Sequence, residues 1–76
     1  MTAQPRDRVV HYTGLPKGFY IASVRENMYG SYTLMIQPDR GSCCLEKIGG
    51  DFDALSADLD AFIRGEKVDG LYSAAY

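Results

Sequence analysis

The side chains able to do chemistry are few, and they are scattered. His11 is the single histidine and lies between Val10 and Tyr12 in the β-rich run RVVHYT. On a strand rim it reads as a hydrogen-bonding group rather than a base. Cys43 and Cys44 are adjacent. Neighbours on a strand point to opposite faces, so a bridge between them would strain the backbone. Both read as reduced thiols, at least one of them filling core, with a redox pair as the alternative. Two cysteines and one histidine make no zinc-ligand spacing. The aspartate pairs 51/53 and 58/60 lie on a helical pattern, where members two apart diverge. They read as caps and a solvated helix face, or as an acidic surface for a basic partner. There is no nucleophile elbow, phosphate loop or histidine-rich motif. The expectation is no catalytic residue, no metal, no cofactor and no enzyme.

The tyrosines carry more information. They are Tyr12, Tyr20, Tyr29, Tyr32, Tyr72 and Tyr76. Tyr and Arg are enriched at binding hot spots because they bring a large area with a polar end. Residues 25–32, RENMYGSY, join two β-rich runs, and Asn27 and Gly30 are turn residues. Yet the tip also carries Met28 and Tyr29. Either these two fold onto the domain edge or they anchor a partner. Tyr20, Arg25, Glu26, Met28 and Tyr29 form the candidate partner-binding set.

Four β-rich runs must position that tip: 8–13, 19–26, 31–37 and 42–48. Tyr32, Leu34 and Ile36 alternate onto one face, which places Tyr32 in the core. PDRG, with Pro38 and Gly41, marks a hairpin between the third and fourth runs. Next, Phe52, Leu55, Leu59, Phe62 and Ile63 make one helical stripe within DFDALSADLDAFIRG. Asp51 or Asp53 caps its start, Gly65 stops it, and Asp58 and Asp60 are expected in solvent. Residues 1–7 read as a frayed start, and 70–76 as a tail of undecided conformation, with Val68, Leu71 and Tyr72 able to fold back. The architecture is α+β: an antiparallel sheet of three to four strands with one amphipathic helix packed on one face. The other face is expected to be polar, aromatic and open to water.

The 76 residues make one domain. A chain this small buries only ~60% of its unfolded surface, which leaves little material for a deep cleft. The net charge of −2 is uneven. Residues 1–50 carry six bases and four acids, and residues 51–69 carry six acids and two bases. The acidic half argues against tight, purely electrostatic binding to a phosphate backbone. No apolar run approaches a membrane span, and the N-terminus has no signal-like apolar core, so the expected compartment is the cytoplasm. A free sheet edge offers a route to a homodimer.

Two stretches, YIASVREN and DFDALSADLDAFIRG, resemble the small phage-encoded anti-CRISPR proteins that act on type I systems. The matching positions are Ile21-Ala22, Glu26-Asn27 and Asp51-Phe52-Asp53, in about half of the chain. The resemblance implies a small sheet with helices on one face and no enzymatic activity. It implies binding to the backbone subunit of the CRISPR surveillance complex, which blocks pairing of guide RNA with target DNA. In the family an aromatic beside the Glu-Asn pair joins the contact. Arg25 stands there in this chain, so that role does not transfer, and Tyr29 or Tyr20 is left to supply the aromatic. The spacing of the two stretches also differs. The leading expectation is therefore a protein-binding inhibitor. The alternative is a small β-sheet nucleic-acid-binding or adaptor domain, with Arg6, Arg8, Lys17, Arg25 and Arg40 on phosphates and exposed aromatics on bases.

Overall fold

The structure is a computed structural model that describes residues 7–41 and 43–75. Alternating apolar residues fold as five antiparallel strands in sequence order: β1 (Asp7–His11), β2 (Phe19–Glu26), β3 (Tyr32–Pro38), β4 (Cys43–Gly49) and β5 (Tyr72–Ala75). One helix, α1 (Phe52–Ile63), lies between β4 and β5 in the chain and packs on one face of the sheet. The α+β class and the single helix agree with the sequence. The sheet has a fifth strand because the tail returns and pairs with β4, Leu45 opposite Ser73 and Glu46 opposite Tyr72. Of the expected frayed start 1–7, residues 1–6 lie outside the described residues, while Asp7 departs from it by pairing with Arg25 as part of β1. The first strand also ends earlier than the sequence suggests. Tyr12–Gly14 form a single 3-10 turn, closed by the Leu15 N–H on the Tyr12 carbonyl at 3.2 Å.

The register sorts the sheet into two faces. Ala22 and Val24 on β2 sit opposite Ile36 and Leu34 on β3, and all four are fully buried under α1. Leu55 and Leu59 fill the space above them. Each fully buried leucine contributes roughly 1.5–3 kcal/mol relative to an exposed one. Phe19 meets Phe62 edge to face at 4.9 Å, and Tyr32 meets Phe52 at 5.6 Å. Tyr32 is thus half-buried at the margin of the core rather than sealed inside it. Leu71 packs against the same core from the loop before β5, whereas Tyr72 is exposed.

The helix begins and ends on recognisable signals. The Asp51 carboxylate accepts the Asp53 N–H at 3.0 Å, so Asp51 is the cap. At the far end the N–H groups of Gly65 and Glu66 return to the carbonyls of Phe62 and Ala61.

Asp58 and Asp60 depart from the expectation of a solvated face. Lys47 reaches up from β4 to Asp58 at 2.6 Å, and Arg8 reaches up from β1 to Asp60 at 2.6 Å. Arg8 also donates to the carbonyl and hydroxyl of Ser56. Positions 56 and 60 flank one side of the apolar stripe and position 58 the other. The helix is therefore held to the sheet by a cation on each flank. Partly exposed pairs such as these contribute ~0.2–1 kcal/mol each, so their main effect is to fix orientation. Among the described residues no helix is long and apolar enough to cross a membrane.

Candidate functional site

The β2–β3 connection bears on the reading in which Met28 and Tyr29 fold onto the domain edge. Their side chains do not fold onto the domain: Met28 is 88% exposed and Tyr29 85% exposed. The turn beneath them is fixed. Asn27 is half-buried, and its Oδ1 accepts the N–H of Tyr29 at 2.9 Å and of Ser31 at 3.1 Å. Its Nδ2 donates to the Thr33 hydroxyl at 3.2 Å. The Asn27 N–H donates to the Ser31 carbonyl at 2.8 Å, and the Gly30 N–H returns to the Asn27 carbonyl at 3.3 Å. Gly30 takes φ +80°, a conformation that costs glycine nothing and other residues energy. Two large apolar side chains therefore stand in water on a turn built for rigidity.

The candidate set splits between the two ends of β2. Arg25 and Glu26 end the strand immediately before Met28 and Tyr29, and both are exposed. The Arg25 guanidinium is not free: its Nε holds Asp7 of β1 at 3.2 Å. Tyr20 lies at the opposite end of the strand, five residues from Arg25, or ~17 Å at the rise of a strand. A bulge accounts for its placement. The register steps from Phe19–Pro38 to Ile21–Gln37, so one extra residue, Tyr20, stands in β2. Phe19 then joins the core side, and Tyr20 is left 57% exposed. It cannot share a compact contact with Tyr29. Its neighbourhood is the other end of the sheet, where Tyr12 donates to the Asp39 carboxylate at 3.2 Å and the Asp39 N–H donates to the Gly18 carbonyl at 2.9 Å.

The residues considered for chemistry do not converge. His11 is exposed at the end of β1. Cys43 is an exposed free thiol, and Cys44 is a buried one on the opposite face of β4. Among the described residues no group of three or more His, Cys, Asp or Glu side chains is placed to hold a metal ion.

Two of the five basic residues considered for phosphate contacts are committed. Arg8 is bound to Asp60 and Ser56, and Arg25 to Asp7. Arg6 lies outside the described residues. The face turned away from α1 mixes polar, apolar and aromatic side chains. Its middle row runs Val9, Ser23, Met35, Glu46, Tyr72 across the five strands. A shallow depression of about 170 Å³ lies beside that row, lined by Ile21, Ser23, Arg25, Met35 and Gln37. Tyr72, exposed on the edge strand β5, is the aromatic of that row.

The signal for the tip was legible as Met28-Tyr29 inside a turn. Glu46 gave no signal at all. It is 6% exposed although its register places it on the face away from the helix. Comparison of the chain with protein-family models, with curated proteins and with solved structures finds no match.

Proposed function

We propose that this domain is a non-enzymatic protein-binding inhibitor whose contact surface is the β2–β3 tip, with Tyr29 and Met28 as anchors and Arg25 and Glu26 at the rim. The observation that carries the reading is the pairing of 85–88% exposure with a turn held by the Asn27 side chain. An exposed tyrosine and methionine on a loose loop would lose much of their contact energy to ordering. On a fixed turn that entropic cost is already met in the free protein. Hot spots are built from such aromatic anchors, and an arginine beside them is the usual companion.

The partner class follows from the resemblance of YIASVREN and DFDALSADLDAFIRG to anti-CRISPR proteins: the backbone subunit of a type I surveillance complex. The direct test is biolayer interferometry of the tagged protein against a purified type I complex, with wild type, Tyr29→Ala and Met28→Ser. The expected result is saturable binding that weakens at least tenfold in Tyr29→Ala while thermal unfolding is unchanged. Absence of binding by wild type would overturn the choice of partner. Binding unaffected by both substitutions would overturn the tip as the contact surface.

A further inference from the structure

The sheet face away from α1 holds an acidic side chain, Glu46, whose Oε2 has no hydrogen-bond partner among the described residues. Glu46 is 6% exposed, its Oε2 is fully enclosed, and no hydrogen-bond donor among the described residues reaches that oxygen. A buried carboxyl oxygen that gives up water and receives nothing in return is destabilising. The cations nearest in sequence and register are engaged elsewhere. Lys47 points to the other face and holds Asp58, and Arg25 is occupied by Asp7. The immediate frame of Glu46 is apolar: Met35 and Tyr72 are its cross-strand neighbours. Cys44 and Ile48 lie two residues away on the same strand and face, with Ile48 58% exposed.

We infer that this face is a second docking surface, and that its occupant is a protein partner inserting a cationic side chain, arginine or lysine, against Glu46. Charge complementarity selects that chemistry. On this face Asp7 and Arg25 satisfy each other, and Glu46 is the acidic group left uncompensated. Its apolar surroundings match the methylene stem of a long basic side chain, which packs while its head pairs. Met35, unbranched and adaptable, is the side chain that gives way as the cation enters. The depression lined by Ile21, Ser23, Arg25, Met35 and Gln37 adjoins the site across Met35 and leaves room beside it for a neighbouring residue of the partner. The inference does not rest on the role of the β2–β3 tip, and Met28 and Tyr29 stay intact in every test below.

The probe is a capped pentapeptide, Ala-Leu-Arg-Leu-Ala, compared with the same peptide carrying citrulline, the near-isosteric uncharged residue, in place of arginine. Each is titrated into uniformly labelled protein and followed by amide chemical shifts, in wild type and in Glu46→Gln. The expected result is saturable shifts centred on Met35, Glu46 and Tyr72 with the arginine peptide. Binding is expected to fall about tenfold or more with citrulline or in Glu46→Gln, the scale of a lost hydrogen bond to a charged group. Equal response to both peptides, unchanged affinity in Glu46→Gln, shifts centred on the acidic residues of α1, or no saturable shift would each overturn it. Self-association abolished by Glu46→Gln would also overturn it, by making a second copy the occupant. Glu46→Leu supplies an independent readout. Removal of an unpartnered carboxyl is expected to raise the melting temperature, and a lowered one would show that Glu46 is satisfied inside the fold.

Discussion

Asn27 makes the sharpest test of the tip. Asn27→Ala removes two accepted hydrogen bonds, from the N–H groups of Tyr29 and Ser31, and one donated to Thr33. A typical net contribution is ~0.5–1.5 kcal/mol per bond. Tyr29 is exposed, so its amide regains water on mutation, and its bond belongs at the low end of that range. Ser31 and Thr33 are half-buried and belong nearer the middle. The sum is about 2–3 kcal/mol, or a factor of roughly 30–150 in the opening equilibrium of the turn. Amide hydrogen exchange at Tyr29 and Ser31 reads that factor directly. The midpoint of urea unfolding reads it globally: with a slope of about 1 kcal/mol/M for a small domain, the shift is ~2–3 M. Asn27→Asp separates the contributions, because a carboxylate keeps the acceptor and lacks the donor. It is expected to retain protection at Tyr29 and Ser31. If Asn27→Ala exchanged at the wild-type rate, or if Asn27→Asp opened the turn as fully as alanine does, the argument for a preorganised tip would fail.

Three further outcomes follow from the packing. Leu59 is fully buried between α1 and the sheet, and Leu59→Ala is expected to lower unfolding free energy by roughly 2–5 kcal/mol in denaturant titration. Gly70 holds φ +87° at the entry to β5, and an added Cβ would meet Lys47 Cε at 3.3 Å. Gly70→Ala is therefore expected to cost about 1–3 kcal/mol and to loosen β5, seen as faster amide exchange at Ser73. Asp60 is held below the usual carboxylate range, first by the hydrogen bond from Arg8, then by the charges of Arg8 and Arg64 acting against partial desolvation. A group with a depressed folded pKa stabilises above its unfolded pKa and loses that contribution as pH falls through the folded one. Stability is therefore expected to drop below about pH 4, the ordinary carboxylate range, and Asp60→Asn is expected to flatten that part of the profile in acid titration followed by circular dichroism.

What the sequence made legible was local. The run FYIASVRE folds as β2 with those bounds, and the stripe from Phe52 to Ile63 folds as α1. Both rest on periodicity, which is a property of neighbouring residues. The features that were not legible depend on register. The residues of β5 read YSAA, with two alanines and no β-branched residue, so propensity and alternation are both weak. Pairing with β4 and the seat of Leu71 in the core fix that strand instead. The ambiguity of Tyr20 has a similar source. Simple alternation with Ala22 and Val24 would place it in the core, and only the bulge at Phe19–Ile21 sends Phe19 there in its place. Within the site, the exposed pair Met28-Tyr29 was readable as an oddity of composition. That Arg25 is tied to Asp7, and that Tyr20 faces a different end of the sheet, required knowing which residues stand opposite one another.

The same dependence on register changes what the charge pattern means. Residues 51–69 carry six acids against two bases, which reads as an acidic surface available to a basic partner. Asp51 is spent on the helix cap, Asp58 on Lys47, Asp60 on Arg8 and Glu66 on Arg64. These pairs consume acids of the helical half and bases of both halves together, so they leave neither a strong acidic face on α1 nor a basic stripe on the sheet. Electrostatic steering over long range is correspondingly weak, and recognition has to come from close contact. That requirement favours surfaces whose geometry is set in advance. A turn locked by Asn27 meets it by rigidity, and an enclosed carboxyl at Glu46 meets it by an unsatisfied bond. Binding at either place is therefore expected to change little with salt over the first few tenths molar, unlike binding to a phosphate backbone.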